Sequence, residues 1–289
     1  MGAENWKQSN KTLQILRAAE EGKYGVLAAI AYNIEQILGL VRAAEKTRSP
    51  LILQFFPWAI TFSDGLLIRT AADAIKTATV PISIHLDHAQ DEKLIRLAAD
   101  TLPFDSIMVD MSHYEEAENL ARTTELVEYC HAREIATEAE PGRIEGGEDG
   151  IMDTEGLEGS KTTPEQATAF MNTGVDILAP AIGNVHGEYG AEGPQLDFAR
   201  LGDLTKTTDG RVRIALHGTN SFAPELMKQC IAAGVSKINV NKLVLDDYLD
   251  HFAANAGKIP LTTLMEQGVE QVIGLTAKWM EWCGSAGKA

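Results

Sequence analysis

Three histidines could bind one metal ion if the fold brings them together: His88, His186 and His217. They stand at or just after the ends of three apolar runs, in "ISIHLDHA", "AIGNVHGEYG" and "IALHGTN". Three protein ligands with one open position are typical of a catalytic Zn²⁺ site rather than a structural one. No pair of these histidines has a diagnostic spacing, and each alone is more often a satisfied or surface residue. The prediction of a zinc site therefore depends on the fold.

Carboxylates also occur at or near the ends of apolar runs. Asp87 precedes His88, Asp110 ends an apolar run, and Glu140 follows an alternating run. Such groups are costly to bury unless something binds them. Glu148 lies in a glycine-rich acidic segment, where a solvated surface role is the alternative in a chain of net charge −16.

The elements that must position these residues alternate regularly along the chain. Eight apolar runs predict strands, at residues 24–32, 51–56, 81–87, 105–110, 134–140, 175–182, 211–218 and 236–241. Helical spacing predicts helices between them, at residues 34–47, 65–78, 91–102, 114–133, 164–173, 197–208 and 223–233. This order indicates βαβ units and a parallel sheet.

Eight such units predict an α/β fold, a (β/α)₈ TIM barrel formed by residues 1–289 as a single domain. Residues 5–22 are predicted to form an extra N-terminal helix, and residues 242–283 the eighth helix and a C-terminal helical extension. A doubly wound open sheet is the alternative, disfavoured because no G-x-G-x-x-G follows the first strand. In a barrel the carboxyl ends of all strands meet at one mouth, so the histidines and carboxylates should converge there.

Charge and composition exclude several classes of partner. The chain has 25 Lys and Arg against 41 Asp and Glu, without a basic cluster, which argues against nucleic acid. No apolar run is long enough to span a membrane, and the N-terminus lacks a secretory pattern. Three separated cysteines offer no disulfide framework, so a reducing cytoplasm is predicted.

The other histidines and one long segment have weaker interpretations. His85 is expected in the core or supporting the site, and His113 at a helix start or facing substrate. His131 and His251 are expected at the surface. The segment 141–163 is predicted to be a mobile loop at the active site.

Two of these stretches resemble known signatures. "VPISIHLDHA" and "TEAEPGRIEGGEDG" resemble the first and second signatures of the class II, zinc-dependent fructose-bisphosphate aldolase family. The similarity continues through "SIMVDMSH", "GVDILAPAIGNVHGEY", "LDFARL", "IALHGTNSF", "AGVSKINVN" and the terminal "GSAGKA". It covers nearly the whole chain in the correct order.

The resemblance implies a TIM-barrel metalloenzyme of carbohydrate metabolism and glycolysis, typically a homodimer. Zn²⁺ would be held by His88, His186 and His217, with Asp110 and Glu140 orienting it or binding a second divalent or a monovalent cation. Asp87 would transfer the proton of the C4 hydroxyl, and Glu148 the proton on the enediolate carbon.

The resemblance also implies a phosphate site after the seventh and eighth strands. The residues expected to bind substrate or its phosphate are Asn33, Gly187, Gly218, Thr219, Asn220, Ser221, Asn239 and Lys242. Two of them depart from the family pattern: Asn220 replaces a small hydroxyl residue, and Lys242 replaces a threonine. Lys242 could bind phosphate as a point charge, or it could indicate another anion.

Two further departures concern the distal phosphate of fructose 1,6-bisphosphate. Leu245 stands where the family often has an arginine, and Phe56 and Trp58 replace small polar residues. The leading expectation is reversible retro-aldol cleavage of a ketose (bis)phosphate such as fructose 1,6-bisphosphate. The departures favour a ketose monophosphate or a hydroxyketone without that phosphate. The sequence leaves open the C4 stereochemistry.

Other chemistries remain as alternatives: a metal hydrolase on the same barrel, a binding barrel without turnover, and a Schiff-base lysine. The positional candidate for that lysine is Lys237, for which a packing or charge role is the favoured interpretation.

Overall fold

The computed structural model of the protein describes residues 6–147 and 157–289. Its strands are β1 (Val26–Ile30), β2 (Leu51–Phe55), β3 (Ile82–Ala89), β4 (Ser106–Val109), β5 (Ala136–Ala139), β6 (Glu145–Gly146), β7 (Ile177–Leu178), β8 (Val185–His186), β9 (Arg213–Leu216) and β10 (Val235–Val240). Eight of them close into a parallel barrel in the order β1-β10-β9-β7-β5-β4-β3-β2, while β6 pairs with β8. The predicted TIM barrel is confirmed, and the open sheet is wrong.

Helices separate the barrel strands and continue beyond the last one. They are α1 (Trp6–Ser9), α2 (Lys11–Gly22), α3 (Ile34–Thr47), α4 (Pro57–Ser63), α5 (Leu66–Ile75), α6 (Glu92–Thr101), α7 (Glu116–His131), α8 (Pro164–Met171), α9 (Phe198–Thr208), α10 (Pro224–Ala232), α11 (Lys242–Asn255) and α12 (Leu261–Trp282). The C-terminal extension is present as α11 and α12. Among the described helices, none is long and apolar enough to cross a membrane.

Two departures from the predicted elements concern the helices, in addition to the unpredicted pair β6–β8. The N-terminal helix is divided at Asn10, whose side chain accepts the Leu13 N–H at 3.2 Å and so caps α2. Helix α4 was not predicted; it begins at Pro57, where the missing proline N–H is not needed. Phe56 and Trp58 therefore lie at the start of a helix beside the barrel mouth.

Two apolar layers hold the barrel. Side chains such as Ile52, Met108 and Ile177 form one buried cluster with Ile15 and Leu16 of α2. This helix therefore closes the amino-terminal end of the barrel. A larger cluster joins the outward side chains of the strands to the surrounding helices, which leaves the carboxyl ends of the strands as the mouth.

Candidate active site

The three candidate metal ligands converge at the mouth. The ring centroids of His88 and His186 are 4.7 Å apart, those of His88 and His217 4.8 Å, and those of His186 and His217 5.7 Å. All three rings are buried. The barrel thus brings together residues that are separated by up to 129 positions in the chain.

Hydrogen bonds on the far side of two rings fix their orientation. His88 Nδ1 lies 2.8 Å from Asp110 Oδ2, and His217 Nε2 lies 2.7 Å from Glu138 Oε1. The remaining nitrogens, His88 Nε2 and His217 Nδ1, face each other at 3.0 Å. Carboxylates placed behind the rings in this way are typical of metal-binding histidines, because they fix the tautomer and the ring plane.

The donor set fits a divalent metal ion. One ligand atom from each of His88, Glu140, His186 and His217 lies within 4.8 Å of the others. His186 Nε2 and Glu140 Oε2 are buried and lack a hydrogen-bond partner among the described residues, which is unfavourable unless they bind something. Three imidazole nitrogens and a carboxylate oxygen suit Zn²⁺.

The electrostatics of the cluster favour a cation. Burial opposes the charged form of His88, but Asp87, Asp110 and Glu140 raise the pKa of His88 to about 10. Burial, together with the negative charge of Asp110, raises the pKa of Glu140 to about 8. The buried carboxylates outnumber the cationic side chains beside them, and a bound positive ion would offset their negative charge.

Asp87 and His88 both reach the mouth although they are consecutive residues of one strand. Side chains of a regular strand alternate between its two faces. Here the pairing of β3 with β4 shifts between Leu86 and Ala89, and His88 has a φ of 45°, in the left-handed region. The irregular backbone turns His88 toward the same side as Asp87.

Asp87 is an ionised carboxylate of which only one oxygen is hydrogen-bonded to described residues. Its Oδ2 accepts hydrogen bonds from Gln54 Nε2 at 3.1 Å and from Asn239 Nδ2 at 2.9 Å. Its buried Oδ1 has no hydrogen-bond partner among the described residues. Burial opposes ionisation, but the charges of His88 and Lys237 hold the pKa of Asp87 well below its usual range. Asp87 therefore presents an ionised oxygen, Oδ1, to which a bound hydroxyl group can donate a hydrogen bond.

A buried network supports this carboxylate from inside the barrel. The fully buried Lys237 Nζ lies 2.8 Å from Glu138 Oε2 and donates to Asn239 Oδ1 at 2.7 Å. Its charge, opposing burial, lowers the pKa of Glu138 to about 2. Sequence reasoning favoured a packing or charge role for Lys237 over a Schiff base, but it missed the pairing of Lys237 with Glu138 and the role of Glu138 behind His217. Lys237 is two residues from Asn239, and Glu138 is two residues from Glu140, so the members of each pair face the same side of their strand. This alternation was the signal available in the sequence.

The expected phosphate-binding residues divide into two groups. Gly218, Thr219 and Asn239 line the same small cavity as the three histidines and Asp87. A Cβ on Gly218, whose φ is 66°, would lie 2.3 Å from Val185 O, so this close backbone approach requires glycine.

The other expected substrate residues lie outside that cavity. Asn220 Nδ2 donates to Gly187 O at 3.2 Å, Ser221 is exposed, and Asn33 caps α3 and donates to Tyr248 OH at 2.9 Å. Lys242 Nζ pairs with the Glu188 carboxylate at the start of α11.

An aromatic wall borders the site. The buried Phe56 ring lies 6.4 Å from the His88 ring and 6.2 Å from the Tyr32 ring, and Trp58 lies 6.0 Å from Tyr32. Leu245, at the predicted position of an arginine, is also buried. The surface beside the His88 ring is therefore aromatic.

Glu148, predicted to transfer a proton, lies outside the described residues, as does much of the predicted loop. The described ends of that segment make two backbone pairings: β6 pairs with β8, and Arg143 forms an antiparallel bridge with Ser160 of the same segment.

Three of the remaining histidines have defined partners. His85 is in the core, as predicted, with Nδ1 2.7 Å from Ser106 Oγ. His131 and His251, expected at the surface, are half-buried; His131 Nε2 lies 2.9 Å from Asp176 Oδ2.

Known proteins resemble this chain over nearly its whole length. The family model described as fructose-bisphosphate aldolase class-II matches residues 10–288. A Coccidioides immitis (strain RS) protein with a provisional fructose-bisphosphate aldolase name is 49% identical over 289 residues, 98% of this chain and 96% of its own. The fructose-bisphosphate aldolase of Geobacillus stearothermophilus is 36% identical over 235 residues, 79% of each chain.

Solved structures also resemble this chain over nearly its whole length. The YdjI aldolase from Escherichia coli K12 has a TM-score of 0.83 and 28% identity, covering 96% of this chain and 97% of its own. The fructose-bisphosphate aldolase of Campylobacter jejuni has a TM-score of 0.76 at 21% identity, covering 97% and 96%, a likeness that concerns the fold alone.

Proposed function

Because the chain belongs to the class II fructose-bisphosphate aldolase family and is thus a carbon–carbon lyase, we propose that it cleaves a ketose phosphate by a zinc-dependent retro-aldol reaction. The observation that supports this most directly is the convergence of three histidine side chains in the cavity that Asp87 also lines. The reaction would take place in the cavity that these residues line.

His88, His186 and His217 would hold the metal ion, with Glu140 as a further ligand or as the ligand of a second cation. When bound, Zn²⁺ would withdraw electron density from the ketose oxygens and make the adjacent carbon–carbon bond easier to break. Asp110 and Glu138 would keep the His88 and His217 rings oriented from behind.

Asp87 would remove the proton of the C4 hydroxyl during cleavage and return it during condensation. Its free Oδ1 is available for that proton, while Gln54 and Asn239 hold Oδ2 in place. Glu148 is the proposed partner that moves the second proton, at the carbon on the other side of the broken bond.

Substrate phosphate would bind to the backbone and hydroxyls around Gly218 and Thr219, which already border the metal ligands. Gly187, Asn220 and Ser221 would extend this site. Asn33 and Lys242 are proposed as further substrate contacts at its edge.

Fructose 1,6-bisphosphate is the leading substrate. The second candidate is a ketose monophosphate or a hydroxyketone, because the aromatic wall and the buried Leu245 place apolar surface where a distal phosphate would need a charged partner. Preference for the bisphosphate would contradict that second candidate.

Retro-aldol cleavage assayed across phosphorylated and unphosphorylated ketoses tests the proposal. The protein is stripped of metal with a chelator, assayed, and assayed again with Zn²⁺ restored. We expect activity only after zinc is restored, with His186→Ala inactive throughout. Full carbon–carbon cleavage by the metal-free protein would refute the metal-dependent mechanism.

We further propose that the chain works as a cytoplasmic homodimer formed by single-domain subunits. Sedimentation equilibrium should give twice the 31.3 kDa of the chain. A monomer at micromolar concentration would contradict the proposed dimer.

A further inference from the structure

A large cleft lies at the opposite end of the barrel from the mouth. It has a volume of about 690 Å³ and is bordered by α2, α9, α10 and the end of α12. The starts of β9 and β10 form its floor, through Ile214, Val235 and Ser236. We call it the basal cleft. Its volume lies within the range of about 300–1,000 Å³ that is common for small-molecule sites.

The lining is mostly apolar and includes aromatic surface. Val212, Ile231 and Tyr24 contribute to it, and the half-buried Trp282 lies at its edge. Small-molecule sites typically combine such a lining with a few polar groups that fix the orientation of the ligand.

One such polar group is the hydroxyl of Ser236. It is 1% exposed, lines the basal cleft, and its Oγ has no hydrogen-bond partner among the described residues. Ser236 also falls where the pairing of β10 with β9 shifts, between Val235 and Lys237. Such bulges often redirect a side chain. A buried hydroxyl without a partner is unfavourable, and a ligand in the cleft would supply one.

The rim of the basal cleft contains two lysines that form no ion pair within residues 6–147 and 157–289. Lys23 and Lys228 are both exposed, and neither forms a salt bridge with another described residue. The acidic rim residue Glu20 is already paired with Arg213, whose Nε lies 3.0 Å from Glu20 Oε2. In a chain of net charge −16, this rim is locally suited to an anion.

We propose that the basal cleft is a second binding site, which takes a small organic anion with an apolar body. The apolar part lies against Ile231 and Trp282, a polar atom bonds Ser236, and the anionic group faces Lys23 and Lys228. This ligand binds apart from the catalytic mouth, at the other end of the barrel strands.

Titration calorimetry with octanoate and with 8-anilinonaphthalene-1-sulfonate tests the proposal on the zinc-loaded full chain. One site per chain is expected, and saturating inorganic phosphate, which would occupy a phosphate site at the mouth, should leave it unchanged. Lys23→Glu combined with Lys228→Glu should weaken binding roughly tenfold, because two attractive charges become repulsive. Lys93→Glu is the matched control: it changes the net charge at an exposed residue that does not line the cleft, and it should leave affinity unchanged.

A second variant tests the interior independently of the rim charges. Ser236→Leu fills part of the basal cleft and should lower affinity about tenfold or more while aldol cleavage and circular dichroism stay as in the parent protein. Unchanged affinity in both the lysine and the serine variants would overturn the proposal. So would displacement of the probe by inorganic phosphate, or a cleft closed by a second copy of the chain, seen as probe release on dimerisation.

Discussion

At the residue scale, two adjacent side chains have opposite electrostatic tasks. Asp87 must stay ionised, and His88 must offer a free nitrogen. The two side chains have different hydrogen-bond partners. Asp87 accepts from Gln54 and Asn239, whereas His88 Nδ1 is bonded to Asp110. Each side chain is therefore held by its own hydrogen-bond partners, while their charges still affect each other's pKa.

Replacement of the proton-transfer group separates chemistry from metal binding. Asp87→Asn keeps the side-chain shape but removes the base, so kcat should fall by roughly 10²–10⁴-fold. Zinc content, measured by atomic absorption after dialysis, should stay at the parent level because Asp87 is outside the ligand set that includes Glu140. Near-parent turnover in a fully zinc-loaded Asp87→Asn enzyme would contradict the role assigned to Asp87.

The carboxylate behind His217 should affect metal affinity first. Glu138→Gln removes the charge that faces His217 Nε2 at 2.7 Å, so zinc affinity should fall by about 10–100-fold. Competition with a chromophoric chelator measures this change. Glu128→Gln, at an exposed position on α7, is the control and should bind zinc like the parent. Equal zinc affinity in the two variants would rule out an orienting role for Glu138.

At the element scale, Asp176 joins the N-terminal helix to the barrel. Just before β7, its carboxylate lies 2.7 Å from Lys7 Nζ of α1 and 2.9 Å from His131 Nε2 of α7, and it accepts the Thr137 N–H of β5 at 2.9 Å. One buried side chain thus connects two helices and two strands.

This connection gives stability a pH dependence. Burial opposes ionisation, but His131 and Lys7 hold the pKa of Asp176 below its usual range. Because the folded-state pKa is lower than the unfolded one, the carboxylate stabilises the fold fully above the unfolded value of about 3.9. That stabilisation is lost as the pH falls through the lower folded-state pKa.

Asp176→Asn should therefore lower the free energy of unfolding by on the order of 2–3 kcal/mol near neutral pH. The difference from the parent should shrink below about pH 4. Urea denaturation at several pH values measures it. A difference that stayed constant down to pH 3 would show that the charge of Asp176 is not responsible.

Helices and strands could be predicted from the sequence where the spacing of neighbouring residues alone decides them. The spacing of Ile37, Leu40 and Ala44 predicted α3, and the structure begins and ends that helix at the predicted residues 34–47. Helix α4 was missed because Pro57, a usual helix breaker, is favourable in a first turn. The Lys237–Glu138 pair was also missed as a supporting feature, because no local pattern shows which distant strand faces which.

At the scale of the whole molecule, the metal site joins distant parts of the barrel. Its proposed ligands come from β3, β8, the residue after β5 and the residue after β9. An ion bound there contacts the folded chain but has no preformed site in the unfolded chain, so it should stabilise the fold by mass action.

Zinc should accordingly raise the melting temperature in a concentration-dependent way. Each tenfold excess of free zinc over its dissociation constant adds about 1.4 kcal/mol, equivalent to a few degrees in Tm for a chain of this size. Differential scanning calorimetry at buffered zinc concentrations measures the shift. His186→Ala should show no such shift, and a parent Tm independent of zinc would contradict binding at this site.

The shifted pairing at the end of β3 has an evolutionary consequence. The side chains of Asp87 and His88, although consecutive, both face the mouth because the backbone at His88 departs from regular strand geometry. Inserting or deleting one residue there would move the Asp87 carboxylate away from the His88 ring. A neighbouring residue could not replace both side chains at once. Divergence toward new substrates is consequently expected in the loops around the mouth, while the length of this strand end remains fixed across descendants.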